Sequence, residues 1–204
     1  MTVPVESYIP RIDEVLSSTG GSKCLSKMDL TSGFFQMRIA EKDRHKTAFT
    51  THLGTYEYVV SALGMRNVPA IFNFAVSKCF IEQRRIVSTF FDDFIGHSKG
   101  NSWDEAVRQH LGDIRVIFEK CRENNLVLNL SKSEFFQQEI SALGFRLSEN
   151  KLLLPLSMSG SLEKLETPRS VKEVQAFLGW AVYYRRFIKE FSIIAAPLSA
   201  LGGA

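Results

Sequence analysis

The sequence predicts an α+β domain, an antiparallel sheet backed by helices. Three observations predict it. Strand-like and helix-like runs alternate, but without the regular βαβ spacing of a parallel sheet. Two short apolar runs, IVSTFF (86–91) and FIGHS (94–98), are separated only by Asp92-Asp93, and a two-residue connection between strands is a tight hairpin. Ser102 and Glu105 then form a capping box ahead of Val107, Leu111, Ile114, Phe118 and Cys121 at helical spacing, which predicts one long amphipathic helix.

The elements follow in order. Pro10 opens a short helix carrying Ile12, Val15 and Leu16, and Gly20-Gly21 closes it. Residues 24–30 read as a strand carrying Asp29 near its end. In KTAFTTHLGTYEYVV (46–60), Thr and aromatic residues alternate on either side of Gly54, which predicts a hairpin turning at that glycine. From Pro69 to about Arg85 the chain is apolar on most sides, as in a buried helix. After the hairpin and long helix, residues 126–130 and 140–147 read as strands flanking SKSEFFQQ. Near Leu152, LLLPLSMSGSLEKLETPRS brings prolines and serines together and predicts a boundary, dividing the chain into 1–152 and a helical 153–204. Ser170 and Glu173 cap a helix whose apolar face is Val171, Val174, Phe177 and Leu178.

Composition narrows the function. At 204 residues and 45% hydrophobic, the chain is ordinary for a folded domain, not a disordered one. No run approaches the roughly 20 apolar residues of a membrane helix, and the first ten residues lack a signal-peptide pattern. Cys24, Cys79 and Cys121 are widely spaced and read as reduced thiols, which implies an intracellular protein of cytoplasm or nucleus. A net charge of +3 permits a nucleic-acid partner without requiring one.

The densest chemical signal is acidic. If the 86–98 hairpin lies beside the first strand, Asp29, Asp92 and Asp93 converge at one sheet edge. Such a cluster repels itself unless cations bind. Magnesium suits a few carboxylates plus substrate phosphates, and two ions about 4 Å apart can activate a hydroxyl and stabilise a leaving pyrophosphate. An Asp-Asp turn is ordinary in itself. What is unusual is its placement between Phe90-Phe91 and Phe94-Ile95, since charges held in an apolar ribbon need a compensating cation or basic partner.

At these residues the chain resembles the reverse transcriptases of gypsy-type long-terminal-repeat retroelements. SYIPRIDEVL (7–16) resembles the helix entering the palm, SKMDLTSGFFQMRI (26–39) the first catalytic motif, and LGMRNVPAIFN (63–73) the motif beneath the incoming nucleotide and template. FFDDF (90–94) resembles the aspartate-pair hairpin, LNLSKSEFF (128–136) the next motif, and SALGFRLS (141–148) the primer-grip hairpin. Residues 167–201 resemble the thumb and the start of the connecting region. The motifs stand in the family's order along nearly the whole chain.

The resemblance implies a polymerase palm with a partial fingers portion at about 37–62 and a thumb in 153–204. It implies an RNA-directed DNA polymerase using two Mg²⁺ ions, with Mn²⁺ as a substitute, on an RNA or DNA template with a primer and deoxynucleoside triphosphates. Asp29, Asp92 and Asp93 become catalytic metal ligands, with Leu30 in the metal set. Phe34 becomes a steric gate against the ribose 2′-hydroxyl, or otherwise a core aromatic. Gly64 and Pro69 would hold backbone close to the nascent base pair, or serve only a turn and a helix start. Lys132 becomes a proton donor near the pyrophosphate, or a surface lysine. Leu143, Gly144 and Phe145 would press on the primer terminus, or form a buried strand with a glycine bulge. Tyr183, Arg185 and Arg186 would contact nucleic acid, or lie on a packed helix with a solvated edge.

The sequence also departs from the family. Ala62 and Leu63 precede Gly64 where relatives carry a proline and then a phenylalanine or glutamine, and Phe91 stands where many have an aliphatic residue. The upstream fingers, RNase H and integrase portions of a Pol polyprotein are not in this sequence. Three readings stay open here: a polymerase core, a nucleic-acid-binding module impaired in catalysis, and an inert fragment.

Overall fold

The computed structural model describes residues 3, 14, 17–149, 151–155, 158 and 165–202. Ile12, Val15 and Leu16, and most of 7–16, lie outside the described residues. The chain divides into two compact units, 1–155 and 156–204.

In the first unit, strands β1 (Cys24–Leu30), β4 (Val87–Phe90), β5 (Asp93–Ser98) and β6 (Leu128–Gln137) form an antiparallel sheet in the order β4-β5-β1-β6. Strands alternate their side chains between faces. Met28, Leu30, Val87 and Phe94 therefore share one face, where they pack with Phe72, Val76 and Phe80 of the Val68–Cys79 region and with Ile114, Ile117 and Cys121. Those residues belong to helices α1 (Val68–Cys79), with Phe80 at its end, and α2 (Trp103–Glu123). Lys27 and Asp29 alternate with the core residues and lie on the opposite face of β1.

The capping box predicted for α2 forms in full. Ser102 Oγ accepts from the Glu105 N–H at 3.2 Å, and Glu105 returns by accepting from the Asn101 N–H at 2.8 Å. The helix buries Ala106, His110, Asp113, Ile114, Ile117 and Cys121, one stripe at helical spacing. Its close approach to the sheet needs Gly96, where a Cβ would lie 3.2 Å from Ile114 Cδ1 and 3.5 Å from His110 Cε1. Gly112, on the exposed side of α2, has open space where a Cβ would sit. Gly112→Ala is expected to stabilise the chain by about 0.5–1 kcal/mol, read as a higher melting temperature, because alanine loses less backbone entropy in a helix. An unchanged or lower value would refute this.

Several elements differ from the sequence expectation. The catalytic-looking hairpin turns on Phe91-Asp92, with Phe90 opposite Asp93, so Asp93 is the first residue of β5 and not half of the turn. Phe91 adopts φ 51°, and its N–H is taken by a side chain of α1, which fixes the turn one residue earlier than residue type suggests. The hairpin of β2 (Phe49–Thr51) and β3 (Gly54–Tyr56) turns on His52-Leu53, with Gly54 paired to Thr51 as the first strand residue. Helix α1 stops at Cys79, and a 3₁₀ turn (Ile81–Gln83) replaces its expected last turns. SKSEFFQQ is not a connection: all but its last residue lies within β6, because the sheet pairs that polar run with β1. Residues 140–147 are not one strand but parts of β7 (Glu139–Ala142) and β8 (Phe145–Ser148), which with β9 (Lys151–Leu153) form a second antiparallel sheet.

In the second unit, helix α3 (Val171–Tyr183) starts from its expected capping box, Ser170 accepting from the Glu173 N–H at 3.3 Å and Glu173 from the Arg169 N–H at 2.7 Å. A 3₁₀ turn (Arg185–Phe187) follows, then α4 (Phe191–Gly202).

Candidate active site

Strand pairing brings the three acids to one end of the sheet. Asp29 and Asp93 are direct partners in the β1–β5 register, and Asp92 precedes Asp93 in the turn. Like charges directly opposite each other on a sheet are destabilising. Burial and then the charges of Asp29 and Asp93 hold the Asp92 carboxyl above the usual carboxylate range. Its Oδ1 is buried with no hydrogen-bond partner. Lys27 offsets part of the charge, its Nζ lying 3.5 Å from Asp93 Oδ1. The Asp29 N–H donates to Ser133 Oγ at 3.3 Å, tying the end of β1 to β6.

Among the described residues no group of three or more His, Cys, Asp or Glu side chains stands ready to hold a metal ion. The donor set nevertheless fits magnesium, which is usually held by one or two carboxylates together with water and substrate phosphates. The orphaned Asp92 oxygen and the repulsion among the acids are what a bound cation would relieve. Leu30 departs from the other ligand candidates: its side chain is in the core, so only its backbone carbonyl can face a cation.

The other predicted residues fall into distinct settings. Phe34 sits on a 3₁₀ turn (Gly33–Gln36) just past β1, with its ring edge-on to Phe72 at 5.1 Å between centroids. Its carbonyl accepts from Ser61 Oγ. The ring is therefore partly buried against the core. Gly64 is exposed at φ 88° with nothing near a would-be Cβ, so its glycine serves a turn within the chain. Pro69 is the second residue of α1, where its missing N–H costs nothing. Lys132 is exposed on β6, three residues beyond Asn129, the β6 partner of Asp29. Leu143 and Gly144, at φ 52° and 69°, form the two-residue turn between β7 and β8, so the glycine bulge is instead a tight hairpin turn. Phe145 is 2% exposed, which leaves its ring in the core and only the turn residues at the surface. In the other unit Tyr183 ends α3, packed edge-on to Tyr184 at 5.0 Å, and Arg185 and Arg186 are exposed on the turn that follows.

Three residues around the acids carried no role in the sequence reading. Lys27 lies two residues before Asp29, a spacing that puts both on one strand face and was available as a signal. Gly33 and Asn73 are buried beside the turn, and only the three-dimensional pairing reveals them.

The fold, an antiparallel sheet backed by helices, is that of a polymerase palm. Residues 2–147 match the family of reverse transcriptases (RNA-dependent DNA polymerases), and the chain belongs to that family. It is 33% identical over 98% of its length to the retrovirus-related Pol polyprotein from transposon opus of Drosophila melanogaster, of which it covers 20%. It is 32% identical over 97% of its length to the Pol polyprotein from transposon gypsy of the same organism, covering 19%. The chain thus spans about a fifth of these two relatives. Among solved structures, foamy viral protease–reverse transcriptase in complex with RNA/DNA hybrid superposes with a TM-score of 0.83, at 24% identity over 99% of this chain and 27% of that one. A form of the same viral enzyme in complex with double-stranded DNA gives 0.86, at 24% identity over 97% of this chain and 34% of that one. No helix among the described residues is long and apolar enough to cross a membrane.

Proposed function

We propose that this chain is the polymerase core of an RNA-directed DNA polymerase that extends a primer 3′-hydroxyl by two-metal nucleotidyl transfer. The observation that carries the reading is the pairing of Asp29 with Asp93 across two strands, with the orphaned Asp92 oxygen beside them. Asp29, Asp92, Asp93 and the Leu30 carbonyl would hold two Mg²⁺ ions, or Mn²⁺. Bound there, the ions would supply hydroxyl activation and neutralise the leaving pyrophosphate. The protein's own work is positioning. The β1–β5 register fixes the spacing of two acids, and Lys27 limits their repulsion before substrate arrives.

Phe34, on the turn after β1, would meet the nucleotide sugar and gate its 2′-hydroxyl. Gly64 and Pro69 shape the entry to α1 beneath the base pair, and Lys132 stands on β6 to meet the triphosphate. Leu143, Gly144 and Phe145 form the primer-grip hairpin. Residues 1–152 act as palm, with 37–62 as the fingers-like portion, and 153–204 as thumb, where Tyr183, Arg185 and Arg186 meet the nucleic-acid backbone. Template with primer and deoxynucleoside triphosphates are the partners, and the chain works as part of a Pol polyprotein. The solved relatives bound to RNA/DNA hybrid and double-stranded DNA support that partner class.

The test is primer extension on an RNA template with Mg²⁺ or Mn²⁺. Template-directed incorporation that disappears in Asp92→Asn supports the polymerase. Salt-sensitive duplex binding without incorporation would make the chain a binding module instead. Phe34→Val adds a sharper check. Ribonucleotide use relative to deoxynucleotide use is expected to rise about 10- to 100-fold, as removing steric bulk from a pocket typically allows. An unchanged ratio would return Phe34 to a purely structural role.

A further inference from the structure

We propose that Gly33 and Asn73 are positioning residues that together aim the Asp92 carboxylate, an inference that rests on the reading of Asp92 as a metal ligand. Gly33 acts through the space it leaves. A Cβ there would lie 2.4 Å from Asp92 Oδ1, 3.1 Å from its Cγ and 3.1 Å from Phe72 Cζ. Two of those three atoms belong to the carboxylate itself. Gly33 is buried, and it is not among the glycines that adopt positive φ, so its backbone does not demand glycine. The demand comes from the acid that fills the missing side chain's volume.

Asn73 acts through the turn. It is 0% exposed on α1, and its Oδ1 accepts from the Phe91 N–H at 3.2 Å. Phe91 is the residue before Asp92 and stands at φ 51°, a conformation that costs a bulky residue energy unless its surroundings enforce it. A residue present only for packing would be apolar here. Asn73 instead leaves its Nδ2 buried and unpartnered, a cost that packing alone does not explain. Asp92 Oδ1 has no donor of its own, so nothing bonded to that oxygen fixes its direction. The pinned turn sets where the side chain starts, and the Gly33 hollow sets where that oxygen ends.

The experiment compares the full chain with Gly33→Ala, Asn73→Leu and Asp92→Asn. It measures Mn²⁺ binding by electron paramagnetic resonance without nucleotide, then kcat and KM for a deoxynucleotide in primer extension, with thermal melting as the check on folding. Gly33→Ala and Asn73→Leu are each expected to weaken Mn²⁺ binding about 10- to 100-fold, the usual effect of disturbing a group that orients a metal ligand. They should lower kcat in parallel while nucleotide KM stays within about threefold, since the loss falls on the reacting centre and not on ground-state binding. Asn73→Leu keeps the packed volume, so it decides the question if Gly33→Ala fails to melt cooperatively. Normal Mn²⁺ binding and kcat in a folded positioning variant, alongside loss of both in Asp92→Asn, would overturn the positioning role alone. Mn²⁺ binding that survives Asp92→Asn would overturn the metal reading and this inference with it.

Discussion

Asp29→Asn and Asp92→Asn are each expected to lower primer extension by about 10³-fold or more, because each removes a preorganised charge from the reacting centre. The same variants should leave the fold intact, and Asp92→Asn should stabilise it at neutral pH. The reason is the setting of Asp92. Burial, then Asp29, then Asp93, all disfavour its charged form. Its folded-state pKa therefore lies above the unfolded value near 3.8, and the folded chain holds that proton more tightly. Such a group contributes stability below its unfolded pKa and loses it as pH rises through the folded pKa. At pH 7 the parent bears the cost of a half-buried charge beside two like charges, while asparagine bears none. The melting temperature of Asp92→Asn should thus exceed the parent's most at pH 7, with the gap closing toward pH 4. Thermal denaturation across that range checks the sign. A variant that loses both stability and activity at pH 7 would show that Asp92 braces the fold and is not held there at a cost.

How far this site could be read from sequence depends on the range of the interactions that build it. Helix starts are legible where a cap signals them. The Ser102 and Ser170 capping boxes start their helices where expected, since the cap and its partner lie three residues apart. The β1 strand and the meeting of Asp29 with the acid pair also follow, because alternation and a short connection leave few other arrangements. The turn position did not follow. Asp favours turns, which centred the hairpin on Asp92-Asp93, but Asn73 on a separate helix draws the turn onto Phe91. Nothing near residue 91 announces an acceptor eighteen positions earlier. The run SKSEFFQQ misled in a similar way. Its polarity suits a connection, yet in β6, an edge strand, alternate residues can face solvent. Phe145 shows the limit of motif reading: the turn before it is exposed while its ring is core.

Acid is expected to unfold the first unit through its buried histidines before most surface carboxylates are protonated. His110 is 0% exposed at the seam between α2 and the sheet. Its partners dictate its tautomer. Ser98 Oγ donates its single proton to Asp113 Oδ2 at 2.6 Å, so it accepts from His110 Nδ1–H at 2.7 Å. Nε2 then accepts from Ser26 Oγ at 2.7 Å, and Ser26 Oγ in turn accepts from the Phe136 N–H at 3.1 Å. Every proton in this chain is already placed, so a second proton on the ring leaves the Ser26 hydroxyl facing another donor. Burial drives the His110 pKa down to about 4 against the pull of Asp113. On the other face of the sheet, burial beside Ser88, with Lys99 and His110 as repelling charges, brings His97 to about 4 as well. Both folded values lie below the ordinary 6.5. The stability each neutral ring contributes is therefore complete above pH 6.5 and is lost as pH falls toward 4. Each depression corresponds to about 3 kcal/mol at most, a large share of a typical domain's stability. Ser26 and Ser98 lie on β1 and β5, so the loss reaches the strands that carry Asp29 and Asp93. Histidine ring resonances followed by NMR should show neither ring titrating above about pH 5, and denaturant unfolding should show stability falling between pH 6.5 and 4.5. A His110 ring that titrates near 6.5 in the folded chain would break the argument, since Asp113 would then outweigh the burial of the ring.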